Sequence, residues 1–182
     1  MAALLLACSL GAQADARLAE ETSHLINTIR QKLDACGEEG SLGTLQLQAT
    51  AQPASLTARV AIRPALAFST RLAAVAARHA RSMAEQQFFD HTDPQGKTVG
   101  HRATEAGYRW RVVGENLAAG HETIGDAVRG WLLSTGHCQN LIDPRFNEFG
   151  IARVSASSLS DPYGSYWVLV LGRSTGNDVA SR

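Results

Sequence analysis

The order of the periodic segments predicts an α+β domain, with helical stripes first and in the middle and two strands paired near the end. The sheet is expected to be mixed and covered by helices on both faces. In residues 165–171 both alternating sets are apolar, Tyr166, Val168 and Val170 on one side and Trp167, Leu169 and Leu171 on the other. A chain of 182 residues, 45% hydrophobic and 19% charged, suits one such domain.

Residues 1–16 read as a leader. The uncharged run from Ala2 to Leu10 is far too short to span a bilayer, and Ala12, Ala14 and Ala16 give the A-x-A spacing that signal peptidase reads. The run lacks a positive flank, which points to a start upstream of Met1. Cys8 sits in a Leu-Leu-Ala-Cys context that would also suit a lipid anchor. Export to a periplasmic or extracellular compartment is the expectation, the alternative being an apolar first turn of the domain.

Residues 17–62 form an N-terminal helix and long loop, 63–173 the core and 174–182 a polar tail. In the helix, predicted over 15–34, Leu18, Leu25, Ile26, Ile29 and Leu33 make one stripe. Glu20 and Glu21 lie early and Arg30 and Lys32 late, an order that suits the helix dipole. Residues 38–62 read as a surface loop with an extended piece at Leu45, Leu47 and Ala49. A second helix is predicted over 67–88, capped by Ser69 or Thr70, with Leu72, Val75, Ala76, His79 and Met83 inward. A turn-rich loop over 89–96 and a short helix over 99–107, ended by glycine, follow. Residues 108–119 read as extended and then turning at Gly114. A third long helix covers 123–134, with Trp131 inward. Strands at 148–154 and 165–171 flank a Ser-rich hairpin connection.

Three cysteines are present. Loss of the leader removes Cys8 and leaves Cys36 and Cys138, which an oxidising compartment would bond; in a reducing one they would be two buried thiols. A bridge closing about a hundred residues contributes about 4.7 kcal/mol in the chain-entropy model.

The formal net charge of +0, from 17 basic and 17 acidic side chains, argues against a nucleic-acid binder. No P-loop or G-x-G-x-x-G run is present. Of the six histidines, His24, His101 and His121 read as solvated and His79 as a hydrogen-bonded core residue. His91 and His137 sit in loop or helix-end contexts among small and polar residues, where function tends to lie. Glu115, between Gly114 and Asn116, is the third candidate. Two imidazoles and a carboxylate can hold a zinc-like ion or share a proton. More than twenty residues separate each from the next, so no short metal motif exists; His121-Glu122 does not continue as H-E-x-x-H, since Gly125 stands in the second histidine's place. Ser134 lies near His137 without a nucleophile elbow around it, and a bond to Cys36 is the expected fate of Cys138.

The blocks Phe88-Phe89-Asp90-His91, Gly107-Tyr108 and Gly114-Glu115-Asn116-Leu117-Ala118-Ala119-Gly120 resemble the bacterial branch of the CAP superfamily (cysteine-rich secretory proteins, antigen 5 and pathogenesis-related proteins). So does the stretch from Trp131 to Leu141, with its W-x-x-S-x-G-H-x-x-N pattern, followed by Phe149-Gly150-Ile151-Ala152 and Tyr166-Trp167. The resemblance implies a three-layer α-β-α sandwich, usually secreted, with a polar cleft at His91, Glu115 and His137. Where the eukaryotic pattern has a second glutamate this chain places Ser134 in the cleft as a further candidate ligand-binding residue, as bacterial relatives commonly do. A cysteine after G-H, paired with one after the first helix, also resembles that branch.

Three functions follow as expectations. The first is an exported module binding a lipid, sterol, glycan, peptide or divalent ion in the cleft. The second is a zinc hydrolase in which His91 and His137 hold the metal and Glu115 is ligand or base. The third is a structural role in the cell envelope. Partners would be a small or lipid-like molecule or an envelope component, and zinc is the one cofactor in view.

Overall fold

The computed structural model describes residues 2–33, 36, 63–156, 158 and 160–176, with side chains from Gln13 onward. The loop expected over 38–62, and the tail beyond residue 176, lie outside the described residues. Helix α1 (Ala2–Lys32) is followed by strand β1 (Ala67–Phe68), helices α2 (Thr70–Gln86) and α3 (Val99–Glu105), and strand β2 (Trp110–Ala119). Helices α4 (Ile124–Leu133) and α5 (Thr135–Ile142) and strands β3 (Glu148–Ser155) and β4 (Ser165–Ser174) complete the order. Among the described residues the strands form one mixed sheet in the order β1-β3-β4-β2, with β1 parallel to β3 and the other pairs antiparallel.

Strand β4 is central and buried from Ser165 to Gly172, as its doubly apolar pattern requires. Leu169 and Leu171 face one core with Ile26, Trp131 and Leu141, so α1, α4 and α5 form one layer. Val168 and Val170 face the other with Leu72, Val75, Met83 and Tyr108, so α2 and α3 form the second. This is the expected α-β-α sandwich. Helix α1 begins at Ala2, upstream of the predicted start, and no described helix is long and apolar enough to cross a membrane.

Several local expectations need correction. The second helix starts at Thr70, not at residue 67: Ser69 caps it by accepting from the Leu72 nitrogen, and Ala67–Phe68 instead pair with Glu148–Phe149. The chain does not turn at Gly114. Strand β2 runs straight through it, paired with Leu171, and the missing side chain makes room for Phe146, whose ring edge would lie 2.8 Å from an added Cβ. Glycine there answers a close approach rather than a bend. Residues 135–142 form a helix, α5, which the short polar run Thr135-Gly136-His137 does not suggest. Arg30 is buried rather than set out at the helix end. His121 is half-buried, and its carbonyl accepts from Ser165 Oγ and Trp167 Nε1. His24 and His101 are exposed as expected.

Cys36 and Cys138 are joined by a disulfide with Cα atoms 5.9 Å apart, tying the segment after α1 to α5. Arg30 ties the same helices. Its five N–H groups donate to the carbonyls of Pro64, Leu141, Asp143 and Phe146 at 2.8 to 3.1 Å. Burial, with Arg63 nearby, lowers its pKa to about 10, which leaves it charged at neutral pH.

Candidate functional site

Side chains alternate along a strand, so adjacent residues of β2 face opposite layers. Glu115 pairs with Val170 and points toward α2 and α3; Asn116 pairs with Leu169 and points toward α4 and α5. Because β2 is an edge strand, its open side lies between the two helical layers.

On the α2–α3 side the Glu115 carboxylate is 2% exposed and fully engaged. Oε1 accepts from His91 Nδ1 at 2.9 Å, and Oε2 accepts from Arg102 Nη2 at 2.7 Å. His79 Nε2 stands 4.0 Å from Oε1 and bonds the Asp90 carbonyl at 2.9 Å. Arg102 also donates to the His91 and Lys97 carbonyls, so α3 fixes both ends of the loop that carries His91. A buried carboxylate alone would be costly; the guanidinium compensates it and the imidazole orients on it.

On the other side Asn116, fully buried, donates from Nδ2 to the His137 carbonyl at 2.9 Å and accepts at Oδ1 from Asn140 Nδ2 at 2.9 Å. Trp131 Nε1 donates to the Leu117 carbonyl at 2.8 Å, docking α4 on the same strand. The glycine-glutamate-asparagine block and the tryptophan-to-asparagine block are therefore two halves of one hydrogen-bonded joint.

The His91 and His137 rings meet across the strand edge, with centroids 6.3 Å apart. Their electrostatics differ. The hydrogen bond to Glu115 raises the His91 pKa above the ordinary imidazole range, while burial, with His91 alongside, lowers that of His137. Burial likewise lowers the pKa of His79. Ser134 is half-buried at the junction of α4 and α5, where its side chain does not cap α5.

Thus His91 and Glu115 bond directly and His137 adjoins His91. Among the described residues no group of three or more His, Cys, Asp or Glu side chains is disposed to hold a metal ion. His91 and His137 are the residues here that could supply two imidazole ligands, with Glu115 behind His91. Sequence reasoning missed Arg102, Asn116 and Asn140. Asn116 belongs to the Gly114–Gly120 run, yet only the alternation of an edge strand reveals its task.

The model of the cysteine-rich secretory protein family (CAP) matches residues 24–171. An extracellular protein containing a SCP domain from Bacillus anthracis is similar at 30% identity, over 61% of this chain and 34% of that one, with a TM-score of 0.53. An outer surface protein from Borrelia burgdorferi shares the fold at 20% identity, over 85% of this chain and 91% of its own, with a TM-score of 0.62. The uncharacterized protein YkwD of Bacillus subtilis is 29% identical over 79 residues, 43% of this chain and 31% of its own length. The chain thus spans about a third of that relative.

Proposed function

This chain belongs to the cysteine-rich secretory protein (CAP) family, and we propose that it works as an exported binding module whose ligand is met by His91 and His137 at the edge of β2. One observation carries the reading. Glu115 holds His91 by Nδ1, which turns Nε2 away from the buried carboxylate on a ring that is 55% exposed, beside His137. A carboxylate behind an imidazole fixes its tautomer and raises its basicity, the arrangement found behind metal-bound histidines. Of the ligand classes the sequence leaves open, this favours a divalent ion, or a molecule presenting a polar head. A bound zinc ion would supply Lewis acidity; the chain's residues would orient the two imidazoles and hold the loop with Arg102.

Support for a hydrolase using Glu115 as base is weaker, because both carboxylate oxygens are engaged and the side chain is shielded from solvent. Calorimetric titration with zinc chloride distinguishes the readings. Saturable binding is expected for the wild type and its loss for His91→Ala/His137→Ala. Equal heats for both proteins would remove the divalent ion from this reading. Turnover of an ester panel that Glu115→Gln abolishes while keeping zinc binding would restore the hydrolase.

A further inference from the structure

We propose a second site, an anion site for a phosphoryl group, at the end of the sheet where β2 begins. The register of β2 against β4 slips there: Trp110 pairs with Ser174 and Val112 with Arg173, leaving Arg111 as the extra residue of a bulge. A bulge re-aims a side chain, and this one sets Arg111 beside Arg173 on an edge strand. Like charges so placed repel unless something neutralises them.

Among the described residues no free acid neutralises them. Arg111, Val112, Pro144, Arg145 and Arg173 line an open concavity of about 510 Å³. Asp143, the acid adjoining it, is already engaged: Arg145 Nε and Nη2 donate to both of its oxygens at 2.6 to 3.0 Å. Glu148 belongs to the other face, where it accepts from the Tyr108 hydroxyl at 2.6 Å. Among the described residues the Arg111 side chain makes no hydrogen bond or ion pair. Arg173 donates from Nε to the Arg145 carbonyl and from Nη2 to the Pro144 carbonyl, which fixes its head at the rim and leaves Nη1 unengaged. In a chain with a formal charge of +0, three arginines against one engaged aspartate make a local positive excess among the described residues.

Guanidinium forks match phosphoryl oxygens, and a tetrahedral anion offers forks from two walls more oxygens to share than a carboxylate does. The phosphoryl group can come from a soluble phosphate ester or from an anionic lipid headgroup. Arg111 and Arg173 would contact it, with Arg145 on the opposite wall. This site is separate from the histidine cleft, so it stands or falls independently.

The test uses the full chain and two probes. Sodium phosphate, against sodium chloride at matched ionic strength, is followed by the arginine Nε–H signals in ¹H–¹⁵N spectra. Vesicles of phosphatidylglycerol, against phosphatidylcholine, are followed by flotation. Saturable shifts with phosphate, or selective flotation with phosphatidylglycerol, support the site, and which of the two occurs names the source. Arg111→Gln should weaken binding at least about tenfold, the equivalent of one charge-assisted hydrogen bond. The Arg111 side chain has no internal hydrogen bond to lose, so this variant folds where Arg173→Gln could loosen the turn at Pro144. Phosphate shifts equal to those of chloride together with no lipid preference overturn the proposal. So does binding by Arg111→Gln at wild-type strength.

Discussion

Glu115 and Asn116 are consecutive residues of one edge strand that hold the two cleft histidines from opposite faces of the sheet. Glu115 takes the His91 ring and Asn116 takes the His137 carbonyl, so a one-residue slip of β2 would exchange their partners. Replacing Asn116 by leucine keeps the branched shape but leaves the His137 carbonyl and the Asn140 amide without this partner. Urea unfolding should show a loss of roughly 1–3 kcal/mol, and ring-proton contacts between His91 and His137 should weaken. An unchanged midpoint with unchanged ring contacts would mean that the joint does not hold the cleft.

The two histidines should titrate on opposite sides of the ordinary value, His91 above and His137 below, in ring-proton NMR of chelator-treated protein. Glu115→Gln should bring His91 back down, because the carboxylate hydrogen bond is the main cause of its rise. His91, raised in the fold, stabilises fully below its unfolded value of about 6.5 and loses that contribution as pH rises through its folded value. His79 and His137, lowered in the fold, act oppositely: they cost nothing above about 6.5 and destabilise as pH falls from there toward their folded values. Melting curves of His91→Ala and His137→Ala across this window should diverge from wild type in opposite directions.

What the sequence made legible was whatever repeats with a period. The stripe of α2, the doubly apolar β4 and the buried Trp131 all follow from spacing, and the layers follow from them. Two kinds of feature were not legible. Helix α5 is too short for a stripe; Cys138 and Leu141 bury it, and the disulfide and Arg30 hold it. Arg30 looked like a dipole partner because position in a helix does not disclose which carbonyls will converge on it from far along the chain. At the site, His91, Glu115 and His137 were named from context and resemblance, whereas Arg102, Asn116 and Asn140 depend on strand alternation and loop docking.

The disulfide should matter to the site as well as to stability. It closes a separation of 102 residues, for which the chain-entropy model gives about 4.7 kcal/mol, and Cys138 is the residue after His137. Mass spectrometry of non-reduced protein should show the Cys36–Cys138 link. Reduction, or Cys36→Ala/Cys138→Ala, should lower the unfolding midpoint and weaken zinc binding while the β4 amides stay protected from exchange. Full zinc affinity in the reduced protein would separate the bridge from the cleft.

Arg30 should be among the most sensitive residues of the chain, though it lies across the sheet from the Glu115 side chain. Its guanidinium satisfies four carbonyls at the point where α1, the entry to β1, the end of α5 and the entry to β3 meet. Arg30→Met would leave those carbonyls without a donor in a buried setting, at a cost of at least about 3 kcal/mol. Arg30→Lys keeps the charge but offers three donors on a point-like head, which cannot reproduce the planar fork. Lysine should therefore recover less than half of the loss. Urea unfolding gives the magnitude, and hydrogen exchange gives the location: α5 amides should exchange faster in both variants while those of α2 hold. Lysine restoring wild-type stability would show that charge, not the fork, is what this junction needs.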